Sequence, residues 1–285
     1  MGAVDEAARV ILRLTKQLAE CEEQLKHVDW YKKYVKAKNE LKEERRRQRT
    51  WRHCFISDLH AGSLYFDAPA FRKMVKRLEE EKLRCEVLHV VGDVVEGKFN
   101  HTGQLYEAFP FPVQRSVAVR SIVKLVEVLR PKTVHIIPGN HDRKYGFNLL
   151  DTVVQDLEEK LGKVEIQYHR DDDYYVTDNI LVLHGITRSA GSDYTGLTPL
   201  IQNNLIPLAL QHGADTIVLG HYHRSVIIRY MGRLIIALPS FQYTGKPLRN
   251  ERGMIMMRGD EIKLITVEAS DRRTLVEYWR GSVKV

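Results

Sequence analysis

Five short runs of metal-binding side chains follow one another along this chain: Asp58-Leu59-His60, Gly92-Asp93, Gly139-Asn140-His141-Asp142, His184-Gly185 and Gly220-His221-Tyr222-His223. Brought together, their Asp, Asn and His side chains offer enough oxygen and nitrogen to hold two divalent ions side by side. Carboxylate, amide carbonyl and imidazole suit Mn, Fe, Zn, Ni or Mg, and a carboxylate is the natural group to span two ions. Two ions about 3.5 to 4 Å apart can share a hydroxide, lower its pKa and clamp phosphoryl oxygens during in-line attack. The runs outline a hydrolytic site, with Mn the first choice of metal.

Such runs need elements that carry them to one place. From residue 53 onward, short β-branched runs alternate with longer amphipathic ones. Residues 53–57, 86–91 and 133–137 read as buried strands, separated by helical patterns over 68–84 and 113–130, which is the rhythm of βαβ units. Further strands are expected at 165–169, 174–183, 215–219, 226–237 and 253–268, with helices near 148–161 and 199–212. Met231-Gly232-Arg233 and Arg258-Gly259-Asp260-Glu261 are hairpin turn signals. Each chemical run falls just after a strand, where ligand sites of α/β folds gather. The expectation is an α/β domain over 51–285, with a two-layered sheet flanked by helices.

Residues 1–50 read differently. Val4, Ala7, Ile11, Leu14, Leu18, Cys21, Leu25 and Val28 form an apolar seam at three-four spacing, followed by a charged stretch ending in Arg45-Arg46-Arg47-Gln48-Arg49. This is a helical, coiled-coil-like extension with a basic linker. Residues 4–28 could join two copies as a homodimer, or fold back on the catalytic domain. The formal charge of +7 over 285 residues favours a phosphate-rich partner, nucleic acid first. The three widely spaced cysteines suggest neither a disulfide framework nor a thiolate zinc site, so a reducing cytoplasm is expected. No uninterrupted apolar stretch has signal-peptide or membrane-span length.

The ordered set DxH, GD, GNHD, HG, GHxH resembles the calcineurin-like metallophosphoesterases over roughly residues 53–240. That resemblance implies a four-layer α/β/β/α sandwich. It also implies that Asp58, His60 and His223 hold one ion, that Asn140, His184 and His221 hold the other, and that Asp93 bridges them. His141 would be the catalytic proton donor to the leaving oxygen, with Glu96 as the acidic residue paired to it. Arg143 and Arg188 are candidate substrate contacts by their bidentate grip on phosphate, or else ordinary salt bridges. Tyr222 either stacks on a base or packs against the sheet, and Asp142 caps or orients its loop. Gly97 stands where the protein phosphatases of the family usually carry an arginine, so the run Gly92 to Gly97 looks more like the repair-nuclease and exonuclease branch. The expected function is a phosphodiesterase or nuclease acting on DNA. A small-molecule phosphodiesterase or phosphomonoesterase, and a non-catalytic scaffold, are the alternatives.

Overall fold

Alternation along the strands divides the interior into three apolar layers, because successive side chains leave a strand on opposite faces. The structure, a computed structural model, describes residues 12–17, 19–20, 23, 32–40, 50–97, 104–144, 147–185, 201–243 and 251–271. β1 (Thr50–Ser57) sends Cys54 and Ile56 to one layer and Phe55 to another. β2 (Arg84–Val91) divides Leu88 and Val90 from Val91, and β3 (Thr133–Ile137) divides Val134 and Ile136 from Ile137. A two-stranded ribbon follows, β4 (Arg143–Lys144) with β5 (Phe147–Asn148). β6 (Glu165–Tyr168) then joins β3 in parallel.

A second sheet is built from β7 (Tyr174–Thr177), β8 (Ile180–Leu183), β9 (Thr216–Leu219), β10 (Val226–Tyr230) and β11 (Arg233–Ala237), in the order β10-β11-β9-β8-β7. The chain returns to the first sheet with β12 (Glu251–Arg258) and β13 (Glu261–Glu268), completing the order β13-β12-β1-β2-β3-β6. Helices Ala68–Glu80, Phe111–Leu129 and Leu150–Leu161 bury Met74, Leu78, Ile122, Leu125 and Leu157 on the outer face of the six-stranded sheet. A turn of π-helix, Ile201–Leu205, leads into helix Ile206–Gln211, and both pack on the outer face of the second sheet. Phe55, Ile137, Val182, Val218, Ile236 and Ile255 fill the layer between the sheets. The architecture is the expected α/β/β/α sandwich.

One expected strand divides in two. Residues 174–183 are a hairpin rather than a single strand, turning at Asp178 (φ 47°) and Asn179 (φ 62°). Asp and Asn tolerate the left-handed backbone that a two-residue turn requires, although the pair lacks the glycine that usually marks one. The chain forms two compact units, Met1–Arg49 and Thr50–Val285. In the first, residues 12–17 and 32–40 are helical, while most of the seam at 4–28 and the arginine run lie outside the described residues. No described helix is long and apolar enough to cross a membrane.

A row of histidines crosses the first sheet on the face turned to the second. His53 Nδ1 lies 3.0 Å from His89 Nε2, His89 Nδ1 lies 2.7 Å from the Tyr175 hydroxyl, and His135 Nδ1 lies 3.0 Å from His169 Nε2. The His169 ring stacks on Tyr175 at 3.9 Å between centroids. Burial, followed by mutual repulsion, depresses His89 far below the ordinary 6.5 and His135 to about 4. Arg52, Glu86, Glu165, Asp172 and Asp178 are the charged neighbours, and the carboxylates among them do not offset the burial. The folded chain therefore binds fewer protons here than the unfolded one. This contribution to stability is intact above pH 6.5 and is lost as the pH falls towards about 4. His89→Gln, which keeps hydrogen-bonding capacity but cannot titrate, should shrink the stability difference between pH 7.5 and pH 5 by about 1–2 kcal/mol in urea unfolding. An unchanged difference would remove the row as an acid-sensitive element.

Candidate metal centre

All the chemical runs emerge at the carboxyl ends of strands from both sheets. Asp58 and His60 follow β1, Asp93 follows β2, and Asn140 and His141 follow β3. From the second sheet, His184 follows β8, while His221 and His223 follow β9. The tight packing there explains the glycines beside the donors. A Cβ on Gly92, which also has φ +70°, would run into the His184 ring, and one on Gly139 would strike the Asp93 carboxylate. Five of the donors carry left-handed backbone: Asp58 (φ 51°), His60 (φ 50°), Asp93 (φ 48°), His221 (φ 74°) and His223 (φ 54°). Such non-glycine conformations are uncommon, and they collect at functional sites.

Three groups of donors converge with their ligand atoms within 4.8 Å of one another: Asp58, His60 and His223; His60, Asp93 and His141; and Asp93, His184 and His221. Asn140 joins the last group, its Oδ1 lying 2.9 Å from His221 Nδ1. The residues fit divalent metals. Asp58 and Asp93 are buried, and among the described ion pairs they face only imidazoles, never a lysine or arginine. His184 Nε2 lies 3.0 Å from Asp93 Oδ2 yet makes no hydrogen bond. His60 Nε2 and His223 Nε2 face each other at 3.3 Å. Buried carboxylates and crowded ring nitrogens of this kind need a cation.

The electrostatics agree. Burial pushes Asp58 and Asp93 up, but His223 and His184 beside the first, and His184 and His141 beside the second, outweigh it and hold both carboxyls ionised. Burial opposes charge on His60 and His184 as well, yet the surrounding carboxylates raise them to about 9 and about 10. The carboxylates thus recruit protons that an incoming ion would displace, so metal affinity falls as the pH drops.

The remaining candidates divide. The family resemblance pairs Glu96 with His141, but the Glu96 carboxylate lies on His60 instead, with Oε2 2.9 Å from His60 Nδ1. The pairing follows from the backbone, since Glu96 N donates to Ala61 O at 3.3 Å and so sets the side chain over the neighbouring His60. His141 Nδ1 donates to the main-chain oxygen of Glu96 at 2.8 Å, with the Glu96 Oε1 atom 3.7 Å away. The Arg143 guanidinium is held by Asp173 at 2.8 Å and by the carbonyls of Arg170 and Asp172, which matches the salt-bridge alternative. Arg188 lies outside the described residues. Tyr222 packs in the apolar layer of the second sheet. Asp142, fully buried, accepts from Gly139 N (2.8 Å), Val95 N (3.0 Å) and Val94 N (3.2 Å) and so ties two donor loops together.

Ser240 and Gln242, which belong to no sequence motif, also reach the site. Ser240 Oγ donates to the Asp58 carbonyl at 3.1 Å, and Gln242 Nε2 donates to Glu96 Oε2 at 3.0 Å. Both follow β11, so the strand-end rule that locates the other residues applies to them too.

Fold and donor set together define a phosphoester hydrolase on a two-sheet sandwich. Residues 52–225 match the calcineurin-like phosphoesterase family, and the chain belongs to that family, whose members bind divalent metals. No curated protein matches it. Among solved structures it is similar to a protein characterised as a novel archaeal phosphodiesterase, with 17% identity, 75% of this chain and 99% of the other covered, and a TM-score of 0.43. It is also similar to a hypothetical protein from Pyrococcus horikoshii OT3, with 11% identity, 82% and 93% covered, and a TM-score of 0.49. A third is YfcE, a phosphoesterase from E. coli, with 15% identity, 76% and 99% covered, and a TM-score of 0.38.

Proposed function

We propose that the chain is a dinuclear-metal phosphodiesterase of the cytoplasm that cleaves nucleic acid, DNA first, with Mn as its working metal. The observation that carries the reading is that the donor groups run into one another: His60 belongs with Asp58 and His223 and also lies with Asp93, and the buried Asp93 carboxylate in turn belongs with His184 and His221. Asp58, His60 and His223 would hold one ion and Asn140, His184 and His221 the other, with Asp93 between them. When bound, the ions supply charge for the phosphoryl oxygens and make a water acidic enough to attack at neutral pH.

The chain's own residues do the rest. His141 gives its Nδ1 proton to the Glu96 carbonyl, which makes Nε2 the atom that carries a proton to a departing alkoxide. Its side chain is 15% exposed, so it can meet a substrate entering from solvent. A nucleic-acid substrate is favoured by the charge of +7 and by the arginine run before β1. Residues 4–28 would serve as a dimerisation arm. The test is Mn-dependent digestion of single- and double-stranded DNA and RNA beside bis-nitrophenyl and mononitrophenyl phosphate. Cleavage of DNA and of the diester is expected; hydrolysis of the monoester alone would overturn the nuclease reading.

A further inference from the structure

The segment after β11 lies beyond the family match yet is built into the donor site. Ser240 and Phe241 are fully buried, and Ser240 Oγ and Phe241 N both donate to the Asp58 carbonyl, at 3.1 and 2.9 Å. Ser240 Oγ also accepts from Gln242 N at 2.8 Å, and Tyr243 N donates to Tyr65 O at 2.8 Å, so the backbone on both sides of the Gln242 side chain is fixed. That side chain donates from Nε2 to Glu96 Oε2 at 3.0 Å, the oxygen that also accepts from His60 Nδ1 at 2.9 Å.

The position matters because two histidines lie within reach of the Glu96 carboxylate. His60 has Oε2, and His141 Nδ1 lies 3.7 Å from Oε1. A donor held on Oε2 keeps the carboxylate turned to His60 and leaves His141 to the main-chain carbonyl. With Nδ1 engaged by Glu96, Nε2 is the His60 atom left for an ion, and it faces Asp58 and His223, 3.9 and 3.3 Å away. A carboxylate that orients a ligating imidazole in this way sets its tautomer and its basicity.

We propose that Gln242 is a positioning residue of the metal centre, acting through Glu96 to hold His60 as a ligand and to keep Glu96 apart from His141. The proposal rests on the dinuclear reading of the site. It is tested on the full-length chain, stripped of metal and titrated with Mn by calorimetry. Gln242→Met should weaken one of two sites about tenfold and leave the other and the melting temperature unchanged. The same substitution should add nothing to Glu96→Ala but its full tenfold effect to His221→Ala. Gln242→Leu, which also lacks a donor but fills the space differently, should weaken the same site to the same degree and guards against a packing artefact. Equal weakening of both sites, additivity with Glu96→Ala, or unchanged affinity overturns the proposal. If the unaltered chain binds two ions and Gln242→Met behaves like it, this inference alone fails. If the unaltered chain binds no Mn, the dinuclear reading fails with it.

Discussion

Asp93→Asn is expected to lower kcat/KM for bis-nitrophenyl phosphate by about a thousandfold, the rate equivalent of about 4 kcal/mol. Asp93 is the residue common to two donor groups, and its Oδ1 also accepts from His141 N at 2.8 Å. Asparagine keeps the shape and tolerates the backbone at φ 48°, so the change removes chiefly one buried negative charge. Bound metal, read by elemental analysis, should fall below two ions per chain. Activity within tenfold of the unaltered enzyme would mean that hydrolysis does not run through this centre. His141→Gln separates a proton-transfer role from metal holding. It should leave the metal content intact and slow alkyl phosphodiesters more than nitrophenyl ones, whose leaving group needs little protonation.

The largest effect on stability is expected from Asp67→Ala, at about 3–5 kcal/mol. Asp67 is fully buried, with Oδ2 3.3 Å from Nε of Arg252, whose side chain is only 2% exposed. The same carboxylate caps helix Ala68–Glu80 through Ala70 N at 3.0 Å and holds Ser270 N at 2.7 Å. Alanine would remove the cap, the tether and the charge facing a nearly buried guanidinium. The melting temperature should fall by on the order of 10 °C. Adding Arg252→Met should recover part of the loss, since an apolar side chain there no longer needs a counter-charge. A single variant within about 1 kcal/mol of the unaltered chain would show the pair to be dispensable.

Features that depend on local spacing are legible in the amino-acid sequence. β-Branched runs and their alternation locate β1, β2 and β3, and the strand-end rule brings Asp58, Asp93, Asn140, His184, His221 and His223 into one crevice. Contacts set by the register of distant elements are not legible in this way. Gln242 and Glu96 are 146 positions apart, and Asp67 meets Ser270 across 203. The partner of Glu96 differs from the expected one for the same reason: the choice between His60 and His141 depends on the 3.3 Å hydrogen bond from Glu96 N to Ala61 O, which leaves no mark in composition. The Asp178-Asn179 turn is hidden because apolar runs continue on both sides of it.

The left-handed backbone at Asp58, His60, Asp93, His221 and His223 also limits how this centre can change. Apart from glycine, the residues that enter that region most readily are asparagine, aspartate and histidine. These three also offer the oxygen and nitrogen donors that hard and borderline divalent ions accept. Backbone and metal thus select from nearly the same short alphabet. Cysteine and glutamate, otherwise common metal ligands, are disfavoured at these five positions by geometry alone. Asn140 and His184 are absent from that left-handed set, so the backbone opposes a change of donor type least at these two positions.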